Sequence, residues 1–183
     1  MKPIIAVLLC VSAASAQRFE QPRQQVDFYG GGSYQVGVTG SAVLGVQVRQ
    51  NVGRRVGIGG YYNFAPGSSL VGAGPTGIEY SVSRNIQDYG IAVEVHSATK
   101  IQPYILGTFG GVSLQDRGSA HNYLGDLSLS FTESHIAYGA GVGVRFNFSR
   151  RCAFFVESRV VRAAVSSADY FVRGTVGLSI ALP

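Results

Sequence analysis

The sequence predicts an all-β fold, an eight-stranded antiparallel up-and-down transmembrane β-barrel. Three observations favour it: sustained two-residue alternation, no convincing amphipathic helix beyond the N-terminus, and aromatic residues near strand ends. The clearest segment is 135–148, whose odd positions are all small or polar. Because strand side chains alternate between faces, this segment forms one strand with an apolar and a polar side. Alternation over about ten residues is typical of a tilted transmembrane strand. Its even positions are apolar without exception: Ile136, Tyr138, Ala140, Val142, Val144, Phe146 and Phe148.

The N-terminus has the pattern of a secretory signal peptide. Lys2 precedes an apolar run at 4–11 and a small-residue stretch that ends at Ala16, where we expect cleavage. Residues 1–16 are therefore the predicted signal peptide, 17–25 a flexible N-terminal lead, and 26–183 the barrel domain. The mature chain would have 167 residues (183 minus 16), and Cys152 would be its one cysteine, which excludes an intramolecular disulfide.

Composition narrows the functional classes. The chain has 25 glycines, ten tyrosines, ten phenylalanines and no tryptophan, and only 14% of its residues are charged. The net charge of +5 comes from scattered arginines rather than a basic run, so we expect no nucleic-acid partner. No metal-ligand spacing stands out, and we expect no cofactor.

Eight strands of similar length follow the lead. The two kinds of connection between them differ in length. Residues 49–54, 97–100 and 149–151 form short polar turns, whereas 65–85 and 115–134 are expected to be long loops. Outer-membrane barrels place short turns in the periplasm and long loops outside the cell. The predicted strands are 26–38, 42–49, 55–64, 88–96, 101–114, 135–148, 152–163 and 169–182, and the register of the fifth is ambiguous because both faces are apolar.

The aromatic residues predict two membrane-interface belts separated by an aliphatic band. The periplasmic belt would contain Phe28, Tyr104, Phe146, Phe148 and Phe154. The outer belt would contain Tyr62, Phe64, Tyr89, Tyr138 and Tyr170.

If the apolar faces contact lipid, ionisable residues converge in the lumen. An eight-stranded barrel has an interior just wide enough for side chains, and unpaired charges there are costly, so opposite charges should pair. The sequence leaves two interpretations open: a structural plug of ion pairs, or a narrow gated pore in which charges exchange partners. The predicted lumen network is Asp27, Arg55, Glu94, Arg145, Glu157, Arg159 and Arg173.

The last strand, from Thr175 to Leu182, has the alternation and the glycine of a barrel assembly signal, although the chain ends in Leu-Pro. With the segments 59–62 and 103–110, it resembles the small outer-membrane β-barrel proteins of the OmpA/OmpX type, a porin-family-like outer-membrane barrel domain. The resemblance implies a place in the outer membrane of a diderm (Gram-negative) cell envelope and insertion by the barrel assembly machinery. We expect no enzymatic activity, because no spacing of residues is diagnostic of a catalytic set.

The expected role is structural or surface-interactive, for a monomer surrounded by outer-membrane lipids. Loops 65–85 and 115–134 are the candidates for contacting a surface partner, because binding sites commonly lie on loops held by a rigid scaffold. Two other classes are open: a soluble lipocalin-like carrier, which requires an apolar interior, and a lipid-modifying enzyme. For the enzyme, the residue types for nucleophilic catalysis are His121, His135, Ser130, Glu133 and Ser134, without diagnostic spacing.

Overall fold

The computed structural model describes residues 22–35, 40–67, 70–73, 79–122, 125–164 and 169–183, so the predicted signal peptide lies outside the described residues. No helix in these ranges is long and apolar enough to cross a membrane. β1 begins within the segment expected to be an unpaired lead. The strands of the described ranges are β1 Gln24–Gln35, β2 Ser41–Asn51, β3 Val56–Ala65, β4 Leu70–Ala73, β5 Glu79–His96, β6 Ile101–Asn122, β7 Gly125–Asn147, β8 Cys152–Ala163 and β9 Asp169–Ala181.

Eight of these strands form a closed antiparallel barrel in the order β3-β2-β1-β9-β8-β7-β6-β5, and the pairing of β3 with β5 closes it. The predicted fold is therefore confirmed. The short β4 pairs only with β5, outside the closed set. Closure pairs the backbone of each barrel strand on both sides, as a membrane-spanning sheet requires.

The expectation of long loops at 65–85 and 115–134 is wrong. β6 and β7 stay paired as far as Asn122 and Gly125, so 115–122 and 125–134 are paired antiparallel strand segments rather than loop. β5 begins at Glu79 and pairs with β6 along its whole length. We call residues 79–85, 115–122 and 125–134 the arm, which projects beyond the barrel as three paired strand segments, with β4 paired to the edge of the first at 79–82. Its strands are rich in serine, and the alternation of apolar and polar residues is clear only at 127–132.

Alternation sets the two faces of the barrel wall. Along β8, buried and exposed residues alternate from Ala153 to Ala163. Gly143 is required on the inner face of β7, because a β-carbon there would overlap the ring of Tyr104. The lumen is thus packed so closely at this level that position 143 leaves no space for a side chain.

Candidate functional site: the lumen and the arm

The outer surface of the barrel is a continuous apolar band. Tyr138 and Phe146 lie eight positions apart on β7, which corresponds to roughly 26 Å of strand and about 20 Å of membrane depth at the usual tilt. That spacing suits the apolar core of an outer membrane. Exposed members of the band include Leu44, Val48, Ile58, Ile91, Val93, Ile105, Phe109, Val142, Val156, Val160, Val172, Val176 and Leu178.

The predicted interface aromatics lie on this outer surface, except Tyr104. Phe64 is half-buried there. Phe146 stacks on Phe154, with ring centroids 6.5 Å apart. At the other rim, the guanidinium of Arg162 lies over the rings of Tyr138 and Tyr170 at 5.9 and 5.4 Å. The exposed predicted aromatics are Phe28, Tyr62, Tyr89, Tyr138, Phe146, Phe148, Phe154 and Tyr170.

Tyr104 is the exception, and its assignment to the periplasmic belt is wrong. It is 4% exposed and points into the lumen, where its hydroxyl donates a hydrogen bond of 3.1 Å to Glu157 Oε2. The guanidinium of Arg145 lies 4.9 Å from the centre of its ring. Both faces of β6 carry large apolar residues, such as Leu106 inside and Ile105 outside, so alternation alone did not fix its register.

The lumen carries equal numbers of opposite charges. Among the described residues, four arginines and four carboxylates are buried, and their formal charges cancel. Six of the seven predicted network residues belong to this set. The sequence prediction did not include Arg49 and Asp88, although each lies an even number of positions from an inward-facing residue on its own strand. The eight residues are Asp27, Arg49, Asp88, Glu94, Arg145, Glu157, Arg159 and Arg173.

The seventh, Arg55, does not lie in the lumen. It is exposed in the turn before β3, which begins at Val56. The alternation between inward and outward side chains does not extend beyond the end of a strand. The prediction continued the alternation of β3 into the turn and therefore placed Arg55 wrongly.

Glu94 is the centre of the network at the short-turn end. Arg145 donates two hydrogen bonds to it, Nη1 to Oε1 at 2.9 Å and Nη2 to Oε2 at 3.2 Å. Arg49 Nη1 donates to Oε2, and His96 Nδ1 lies 3.0 Å from Oε1. Arg145 Nη2 also lies 3.5 Å from Asp27 Oδ2. One carboxylate thus joins two guanidinium groups and an imidazole, and Asp27 balances the second positive charge.

Two further ion pairs lie nearer the arm. Arg159 contacts Glu157 through Nε at 2.9 Å and Nη2 at 2.7 Å. Arg173 Nη1 donates to Asp88 Oδ1 at 2.6 Å. Ion pairs therefore occupy successive levels of the lumen.

Above these pairs, an apolar layer fills the lumen at the arm end. Its members come from seven strands and are at most 7% exposed. Alternation alone did not predict this layer. Its residues face inward on the same strands as charged residues nearer the short-turn end, as Phe171 and Arg173 do on β9. The layer consists of Val43, Ala65, Ile86, Val112, Leu114, Ala137, Val161, Ala163 and Phe171.

On the arm, the polarity of the two faces is reversed. The side that continues the lipid-facing surface carries polar residues, whereas the side continuous with the lumen carries Val82, Leu127, Leu129 and Phe131, all exposed. This reversal marks the outer limit of the apolar band. The polar side includes Ser81, Ser83, Asn85, Gln115, Arg117, Ser119, Ser128, Ser130, Thr132 and Ser134.

An open groove of about 370 Å³ lies on the arm. Cross-strand pairing aligns Ser83, Arg117 and Ser130 in one row and Ser81, Ser119 and Ser128 in the next. At the base of the arm, Arg84 donates to both oxygens of Asp116, from Nε at 2.6 Å and from Nη2 at 2.8 Å. The groove offers one guanidinium surrounded by hydroxyl groups.

Among the residues considered for nucleophilic catalysis, those whose side chains are described do not assemble as a triad. His135 Nε2 lies 3.3 Å from Glu133 Oε2 on one face of β7, whereas Ser134 and Ser130 project from the opposite face because strand side chains alternate. The side chain of His121 lies outside the described residues. The polar lumen and apolar exterior are also the reverse of what a soluble carrier requires.

No protein-family model matches the chain, and no curated protein matches it. Among solved structures, the attachment invasion locus protein Ail of Yersinia pestis, in complex with the heparin analogue sucrose octasulfate, is similar with a TM-score of 0.58 at 12% identity, covering 88% of this chain and 99% of Ail. Neisserial surface protein A is similar with a TM-score of 0.57 at 12% identity, covering 87% of this chain and 96% of that protein. The fold is that of the small outer-membrane barrels. At this identity the similarity concerns the fold alone.

Proposed function

We propose that the protein is an integral, monomeric outer-membrane barrel of a diderm bacterium, exported after signal-peptide cleavage. Its lumen is plugged, and its role is structural or surface-interactive rather than enzymatic. The short turns face the periplasm and the arm extends outside the cell. The apolar exterior and the aromatic belts support insertion in the membrane, and the length difference between the two rims supports this orientation.

The main support for a plugged lumen is the balance of its buried charges. Four arginines and four carboxylates are buried and paired within the described barrel. A buried charge that loses its partner costs several kcal/mol, so the paired arrangement resists the passage of an ion. The apolar layer above the pairs adds a barrier to hydrated ions.

The arm supports the surface-interactive part of the proposal. It projects about ten residues of β7 beyond the barrel, or roughly 33 Å of strand. A guanidinium among hydroxyl groups is suited to bind anionic or hydroxylated ligands, and Arg117 with Ser83 and Ser130 provides that set. The partner of 65–85 and 115–134 would therefore be an acidic or sugar-bearing surface.

Planar-bilayer recording tests the plug, and the purified, refolded barrel should show no channel openings above the lipid baseline. Surface exposure of the arm is tested separately, by adding a membrane-impermeant maleimide to intact cells. Ser130→Cys in a Cys152→Ser background should be labelled, and Ser149→Cys in the same background should not. Steady openings in the wild-type barrel would overturn the plug, and labelling of Ser149→Cys alone would reverse the orientation.

A narrow gated pore is the second candidate, and a different observation favours it. Several buried polar atoms along the lumen have no hydrogen-bond partner in the structure, including Arg49 Nε, Asp88 Oδ2, Arg145 Nε and Arg159 Nη1. Such atoms could exchange partners during gating. Voltage-dependent openings whose ion selectivity changes in Glu94→Gln would favour the pore over the plug.

A further inference from the structure

The short-turn rim is a ring of positive charge. The described segments of this rim are 22–24, 51–55, 97–100, 148–151 and 181–183, and none of them contains an aspartate or a glutamate. Every charged side chain there is basic and exposed, and none forms an ion pair among the described contacts. We call this set the basic ring: Arg23, Arg54, Arg55, Lys100, Arg150 and Arg151.

The opposite rim has a different composition, so the ring is not a general feature of the surface. By their positions in the strands, five acidic residues and three arginines lie at or beyond the outer belt, and the charges of the lumen cancel. The positive charge of the folded barrel is therefore concentrated at one end. The residues of the arm rim are Glu79, Arg84, Asp116, Arg117, Asp126, Glu133, Arg162 and Asp169.

Two exposed apolar side chains indicate how deep the basic ring lies in the membrane. Val52 is 59% exposed in the turn that carries Arg54 and Arg55, and Phe148 is 63% exposed beside Arg150 and Arg151. Aromatic residues at barrel ends lie at the level of the lipid headgroups. The basic side chains in the same turns therefore lie at the level of the phosphates.

The basic ring is also arranged to contact a flat lipid layer rather than a compact partner. Its members follow β2, β5 and β7 and precede β1, so they are spread around the whole circumference in the strand order of the closed barrel. A single soluble partner would favour one concentrated patch. A planar layer of phosphates contacts all positions at once.

We infer that the basic ring binds the headgroups of anionic phospholipids in the leaflet at the short-turn rim and thereby selects the lipids that surround the barrel. The inference depends on the proposed insertion in a bilayer. In the proposed orientation the leaflet is the periplasmic one. Lys and Arg near an anionic surface are attracted by its potential, and this attraction is screened by salt.

Electron paramagnetic resonance of spin-labelled lipids tests the inference in phosphatidylcholine bilayers that contain the refolded barrel. The wild type should prefer spin-labelled phosphatidylglycerol over spin-labelled phosphatidylcholine by roughly threefold, and the preference should vanish at about 1 M salt. Combined Arg54→Gln, Arg55→Gln, Arg150→Gln and Arg151→Gln should abolish it. The four corresponding lysine substitutions should retain it, because charge rather than guanidinium geometry carries the effect.

The control removes charge from the other rim, with Arg162→Gln, and should leave the preference intact. Gel mobility of unheated samples shows independently that each variant is folded, so failed insertion is distinguishable from failed lipid selection. The inference is overturned if the folded wild type shows no preference, or if the four-glutamine variant keeps it. Binding of the wild type to purified peptidoglycan without any lipid preference would assign the ring to the cell wall instead.

Discussion

Arg145 and Glu94 form a two-hydrogen-bond ion pair inside the barrel, although 51 positions separate them and β6 lies between their strands. The pair therefore crosses the lumen rather than following the wall. Arg49 reaches the same carboxylate from β2. A single glutamate thus joins three strands that are not neighbours in the sheet.

Glu94→Gln should destabilise the barrel strongly. The substitution preserves side-chain volume but leaves Arg49 and Arg145 without their carboxylate, and breaking a buried pair costs about 3–5 kcal/mol. The free energy of unfolding, measured by urea titration in detergent or lipid, gives the result. The control is Glu133→Gln on the exposed arm, where we expect a change within about 0.5 kcal/mol. Equal effects of the two substitutions would contradict the central place of Glu94.

Gly143→Ala should destabilise the barrel by about 1–3 kcal/mol, because the new methyl group overlaps the buried Tyr104 ring. Gly107→Ala, on the outward face of β6, is the matched control, since an added β-carbon there meets no atom within 4 Å. Thermal unfolding of both variants measures the difference. Tyr104→Leu should relieve the part of the cost of Gly143→Ala that the ring causes, and additive effects in the double variant would show that the two residues do not interfere.

Val142→Arg should impair insertion. Val142 is 59% exposed in the apolar band, and an arginine near mid-membrane costs about 2–4 kcal/mol. Folding into lipid vesicles, followed by gel mobility, measures the loss. The control Ser149→Arg places the same charge in a turn outside the band and should fold normally, whereas normal folding of Val142→Arg would disprove contact of this face with lipid.

Asp116→Asn should weaken the arm and leave the barrel nearly unchanged. Both groups of the Arg84–Asp116 pair are 36% exposed, and such pairs contribute at most about 1 kcal/mol. Hydrogen exchange of arm amides should become faster, while exchange of amides in β8 stays unchanged. An equal increase in β8 would mean that this pair stabilises the whole barrel.

The architecture was predictable because most wall strands carry a single apolar stripe, which indicates both that the segment is a strand and which face points outward, as at 135–148. Tyr104 was misplaced because β6 has two apolar faces, and Arg55 because it lies where a strand begins. The arm was missed as a sheet because 79–85 and 115–122 have few apolar residues and are rich in polar ones, so the alternation at 127–132 had no matching partner strand in the sequence. The contacts of Glu94 could not be predicted, because they depend on how three distant strands are aligned, and the alternation within one strand carries no such information.

Heat modifiability of the protein in fractionated outer membranes tests the central claim most directly. A closed barrel in the membrane predicts an unheated band that migrates faster on SDS gels and shifts to its full apparent mass after boiling. A soluble periplasmic band with the same mobility before and after boiling would contradict it.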